Sequence, residues 1–169
     1  MTNPIPGQLH LISPKPLTAY EFGPPTSSSS PLVLFIAGLN DTLCSVPYLP
    51  ILSERLSQAG WRLAQVCLSS AGAGWGGANF FSSDLSDTRL RNVFGAIDCP
   101  LLIVLSGEDE TYPEEVKAHL PALLERFRRA AEGRWSARSG IVQGAAHDLK
   151  DEEHAGEFAE RVVGFLREV

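Results

Sequence analysis

Leu32-Val33-Leu34-Phe35-Ile36-Ala37-Gly38-Leu39-Asn40-Asp41 is the stretch that decides the fold. Its apolar run, Leu32 to Ala37, is unbroken and bounded by Pro31 and Gly38. Such a run predicts a strand buried on both faces, as in parallel sheets covered by helices. The strand empties into Gly38 to Asp41, a turn that lets backbone N–H groups face a ligand. In open α/β sheets the ligand lies beyond the carboxyl ends of the strands, so chemistry is expected in the loops that follow them.

Working outward, Ser45 to Ala59 predicts a helix. Leu49, Leu52, Leu56 and Ala59 share one face, Ser45 can cap, Pro47 and Pro50 suit a first turn, and Gly60 stops it. Arg62 to Leu68 is the next strand, so strand, helix and strand make a right-handed βαβ unit with a parallel pair. Upstream, Gln8 to Ile12 and Leu17 to Phe22 read as an antiparallel hairpin at a sheet edge. Gly23 to Ser30 is a Pro/Ser surface loop.

Downstream, Ser69 to Ser83 breaks the pattern with Gly72, Gly74, Gly76 and Gly77. It is no phosphate cradle, because the Lys-Ser/Thr of a P-loop is missing. Asp84 to Phe94 reads as a short helix, and Pro100 to Leu105 as a third buried parallel strand leading into Ser106 to Pro113. Pro113 opens a helix with Glu114 and Glu115 in its first turn and Arg126, Arg128 and Arg129 near its end, charges that complement the helix dipole. Pro121 is expected to kink or split it, and the arginines read as a solvated helix end. Ala137 to Val142 is a fourth strand, followed directly by Gly144-Ala145-Ala146-His147-Asp148. Asp151 to Val169 closes as a helix with Phe158, Val162, Phe165, Leu166 and Val169 on its expected buried side.

A chain of 169 residues, 44% apolar and 20% charged, suits one globular domain over 1–169. Its net charge of −6 argues against nucleic acid as a partner. No apolar stretch approaches the length that crosses a bilayer, so no membrane partner is expected. Met1 to Pro14 lacks the basic start and apolar core of a signal peptide. The 3 cysteines, Cys44, Cys67 and Cys99, are odd in number and widely spaced, which favours a reducing compartment and a cytoplasmic location. Each reads as a small buried hydrophobe.

The four strand exits bring two chemical groups forward. Asp109, with Glu110 as the alternative acid, follows the third strand, and His147 follows the fourth. Acid then histidine is the chain order of an α/β-hydrolase site. There a carboxylate fixes the imidazole tautomer and the imidazole takes the nucleophile's proton. His147, Asp148, Asp151 and His154 are metal-ligating types close in sequence, but acidic residues that open a helix are more often dipole partners, so no metal and no cofactor is expected.

At this point a family resemblance emerges. Phe35 to Asp41, Ser45-Val46-Pro47-Tyr48, Ala59-Gly60-Trp61, Ser69-Ser70 with Gly74-Trp75-Gly76, Phe81 to Asp87, Leu105 to Glu110 and Gly144 to His147 carry it. Together they resemble the fungal DUF1749 (UPF0613) branch of the α/β-hydrolases, which includes esterases of hydroxamate siderophores such as fusarinine C. The resemblance implies a small-molecule ester substrate, with His147 as general base, Asp109 as its orienting acid and the backbone N–H of Leu39 as oxyanion donor.

One departure stands out. The family carries a Gly-x-Ser-x-Gly elbow after the Gly-Trp-Gly block, and this sequence contains no such motif. The text passes from Gly76-Gly77 to a block that the family places well downstream, an apparent internal deletion near 76–80. Ser69, Ser70 and Ser106 are the substitutes within view, and none reads as sitting on a strained strand-to-helix turn; Cys44 is nearer the oxyanion loop but lies at the helix entrance.

The expected fold is therefore a three-layer α/β-hydrolase-like sandwich, mostly parallel, with an N-terminal edge hairpin and its middle removed. The expected function is that of a serine-esterase lineage whose nucleophile is absent. The alternative is a non-catalytic binding module or the product of a truncated or mis-spliced gene. The oligomeric state is not legible.

Overall fold

The computed structural model describes residues 6–12, 17–23, 29–36, 43–66, 87–94 and 99–169. The chain divides into two compact units, Met1–Gly77 and Ala78–Val169.

The first unit is a four-stranded sheet in the order β1-β2-β4-β3. Its strands are β1 (Gly7–Ile12), β2 (Leu17–Phe22), β3 (Leu32–Ile36) and β4 (Arg62–Val66). The hairpin forms as expected, antiparallel from Gly7↔Phe22 to Ile12↔Leu17. β2 continues antiparallel onto β4, and β4 pairs in parallel with β3 from Leu32↔Arg62 to Ile36↔Val66.

Helix α1 (Leu49–Gln58) joins β3 to β4 and packs on β4. Leu49, Leu52 and Leu56 are buried on its inner side, a stripe in which each fully buried leucine contributes about 1.5–3 kcal/mol. The helix is shorter than the expected Ser45–Ala59. Tyr48 is its N-cap residue, Ser45 is exposed, and Pro50 takes the first-turn place. The Phe35 and Tyr48 rings meet edge to face at 6.1 Å.

Contrary to expectation, β3 is not buried on both faces. Directly paired residues project on the same side of a sheet. Phe35 is therefore on the side of Gln65 and Leu63, which are buried. Leu32, Leu34 and Ile36 point to the other side and are 44%, 56% and 59% exposed. An unbroken apolar run reports what a strand can tolerate on each face, and here three of its side chains stay exposed while Ala64, beside Leu34 on the same side, is buried.

The second unit holds a two-stranded parallel sheet, β5 (Val104–Ser106) with β6 (Gly140–Val142). A single parallel bridge, Leu101↔Trp135, extends it. Both strands are shorter than expected, and β5 is half-buried rather than buried. Among the described residues the strands thus form two sheets, where one was expected.

Helix α2 (Asp87–Phe94) packs on α4 through the Phe94 and Phe127 rings, 5.2 Å apart. Pro121 does split the arginine-rich helix, giving α3 (Glu114–Lys117) and α4 (Leu120–Ala130) with the proline in the first turn of the latter. Its arginines are paired at the surface: Arg128 holds Glu125 with two bonds of 2.7 Å, and Arg126 donates to Asp87 at 2.7 Å.

Helix α5 (Glu152–Leu166) closes the chain. Its buried face differs from the expected one. Ala155, Ala159, Val163 and Gly164 are buried, whereas Phe158, Val162, Phe165 and Leu166 are half-buried and Val169 is 64% exposed. Small residues four apart let the helix approach closely, and the larger side chains flank that contact. Among the described residues no helix is long and apolar enough to cross a membrane.

Candidate active site

The exits of β5 and β6 lie side by side because the two strands pair in register, Ser106 opposite Val142. The pairing then continues past the strand ends. Gly107 donates its N–H to the Val142 carbonyl and Glu108 donates to the Ala145 carbonyl, both at 2.9 Å. Gly107 is required for this approach, since a Cβ there would stand 2.9 Å from the Val142 carbonyl oxygen.

The next residue, Asp109, is 4% exposed. Its Oδ1 accepts from the Thr111 N–H at 2.8 Å and from the Thr111 hydroxyl at 2.6 Å. Its Oδ2 lies 3.0 Å from His147 Nδ1. Burial alone would raise this carboxyl. The bonds from Thr111 and His147 outweigh it and hold Asp109 below its ordinary value. An ionised Asp109 only accepts, so His147 Nδ1 carries the proton and donates it. That places the basic lone pair of the neutral ring on Nε2. The ring itself is 60% exposed, so the buried carboxylate is the fixed partner and the imidazole the accessible one.

Glu110, the alternative acid, goes elsewhere. Its Oε2 accepts the main-chain N–H of His147 at 3.0 Å, and that bond is the main reason its carboxyl is held low. Asp109 and Glu110 are therefore not interchangeable. Tyr112, half-buried beside them, has its phenol pushed up by burial and by the Asp109 charge.

The loop bearing His147 turns sharply. Gly144 is left-handed with φ of 73°, and a Cβ there would meet the His154 ring at 3.3 Å. Leu149 is also left-handed, φ 47°, while 7% exposed. A buried leucine in that region carries backbone strain that its surroundings must hold. The sequence reading singles out neither Leu149 nor Thr111, although Thr two residues after an acid is an Asx-type signal.

The residues weighed as metal ligands do local work. Asp148 accepts from the Lys150 N–H at 3.3 Å. Asp151 caps α5, accepting from the N–H groups of Glu153 and His154 at 3.0 and 3.4 Å. Ser106 ends β5 in the ladder. Leu39, Ser69 and Ser70 lie outside the described residues, as do Cys67 and the junction near 76–80. Cys44 is left-handed, φ 62°, and donates its N–H to Oε1 of the buried Gln65 at 2.8 Å. Burial pushes its thiol up, away from the reactive thiolate.

Comparison with known proteins bears on the family and the fold. The family model "Protein of unknown function (DUF1749)" matches residues 1–79 and 77–167. An esterase of Emericella nidulans is 36% identical over 107 residues, 54% of this chain and 28% of its own length. Fusarinine C esterase sidJ of Aspergillus fumigatus is 32% identical over 102 residues, 52% of this chain and 28% of its own. The chain thus covers less than a third of the length of these curated relatives. Among solved structures, siderophore hydrolase EstB from Aspergillus fumigatus superimposes with a TM-score of 0.77 at 17% identity, covering 99% of each chain. That likeness gives the fold, an α/β-hydrolase one, and the family model, matched along nearly the whole sequence, shows that this chain belongs to the DUF1749 family.

Proposed function

We propose that this chain carries the acid–histidine part of an ester-hydrolase site and turns over no ester by itself. The observation that carries the reading is the 3.0 Å contact between His147 Nδ1 and buried Asp109 in a sequence with no Gly-x-Ser-x-Gly elbow. In this reading Asp109 orients His147 and stabilises its imidazolium, and His147 is the general base. The proton acceptor is present and the nucleophile it would serve is not. The two-part match to the family model, meeting at residues 77–79, supports the loss of an internal segment. The ligand class that fits is the small-molecule ester of the relatives, siderophore esters among them.

Hydrolysis of an activated acetate ester by the purified chain tests this. The expected rate equals that of the His147→Ala variant. Rapid turnover that depends on His147 would overturn the proposal and send the search to a substitute nucleophile. Saturable thermal stabilisation by a siderophore ester, without turnover, would mark a binding role. Amplifying the transcript across the codons for Trp75 to Phe81 then asks whether a longer form encodes the elbow.

A further inference from the structure

Asp109 and Glu110 are consecutive, yet they grip different ends of one residue. Asp109 turns inward to the His147 ring, and Glu110 lies at the surface and takes the His147 main-chain N–H. The ladder between the two loops supplies the context. Its rungs run from Gly107 to Val142 and from Glu108 to Ala145, all main chain to main chain. At His147 a side-chain carboxylate replaces the main-chain acceptor.

We infer that Glu110 is a positioning residue: its carboxylate pins the His147 backbone so that the ring stays on Asp109. This rests on the acid–histidine reading above and deepens it. The physical argument is one of leverage. The ring is 60% exposed, and its Nδ1 must stay within hydrogen-bond reach of a buried carboxylate. A side chain with rotatable bonds holds that geometry only if its own main chain is fixed. The bond from an N–H to an ionised carboxylate is stronger than a neutral one, and it acts one bond from the His147 Cα. Gly144 turns the same loop upstream, and strained Leu149 follows. Glu110 is the pin between those two bends. Because it is exposed, water can replace it without a large cost in stability. Its loss should therefore show in the ring before it shows in the fold.

The test needs no ester. Nitrogen-15 NMR of the histidine side chains, above the pH at which the rings are protonated, reports which nitrogen bears the proton. Amide exchange reports the His147 N–H. Glu110→Ala is expected to return His147 several-fold toward the Nε2–H form of a free imidazole. Its amide should exchange about tenfold faster, with β5 and β6 amides unchanged. Glu110→Gln, which keeps an acceptor, is expected to restore most of both. An unchanged ring and amide in Glu110→Ala would overturn the inference. So would a general loss of protection across β5 and β6, which would make Glu110 an ordinary structural residue. A wild-type ring that already favours Nε2–H would instead sink the acid–histidine reading, and the amide would still report on Glu110 alone.

Discussion

The parallel pairs β3–β4 and β5–β6 invite comparison, because each is the core of its own unit and they lead to different things. β3 is the longer and more apolar strand, five residues without a polar atom in a side chain. Yet its Leu32, Leu34 and Ile36 are exposed, and its exit lies outside the described residues. β5 and β6 are three residues each and mostly half-buried. Their exits nonetheless carry the 3.0 Å contact between a buried carboxylate and a histidine. Apolarity predicts where a sheet forms. The chemistry follows instead from the lacing of polar groups beyond the strand ends, where Gly107, Glu108, Asp109 and Glu110 each spend a donor or acceptor on the neighbouring loop.

The largest effect expected from breaking this contrast is in the first unit. Leu56 is fully buried in α1. Leu56→Ala should cost about 3–4 kcal/mol by lost burial and cavity formation. Hydrogen exchange should show the loss in β4 while β5 and β6 keep their protection. Equal loss in both would show that the two units unfold as one.

Asp109→Ala comes next. It removes a buried carboxylate that accepts three bonds, two from Thr111 and one from His147. About 2–3 kcal/mol should go, read by urea unfolding and confined to the second unit.

The same carboxyl gives a pH dependence. Its folded value is below its ordinary 3.8, so its contribution is complete above that value. It is lost as pH falls through the lower, folded one. Acid titration of stability in the wild type should show this loss, and Asp109→Asn should flatten it. A slope that survives the substitution would assign the effect to other acids.

How much of this was legible follows from which signals are local. The hairpin, α1, the split at Pro121 and the Asp109–His147 pair all rest on neighbours in sequence or on a motif order. Proline chemistry and strand-exit residues encode them directly. The faces did not read as well. On α5 the large apolar residues predict one face, but Ala155, Ala159, Val163 and Gly164 are what the helix buries. Closeness of approach, not side-chain size, selected that face. The separate roles of Asp109 and Glu110 were equally hidden, since either carboxylate could reach a histidine from its place in the sequence. The structure separates them, with Asp109 on the His147 ring and Glu110 on its main-chain N–H.

The smallest effect expected is on the open side of β3. Its partners there are Arg62, Ala64 and Val66 of β4, a row that continues to Glu21 and Ala19 of β2. Glu21 pairs with both Arg62 and His10, so the polar end of this side is satisfied while its apolar end faces outward. Leu34→Lys, at a position 56% exposed, should change stability by less than about 0.5 kcal/mol and raise solubility. A loss of several times that would mean that in solution Leu34 is covered. The apolar run from Leu32 to Ile36 would then have been a faithful record of two-sided burial. The contrast between the two strand pairs would shrink to the lacing of β5 and β6 onto the histidine loop.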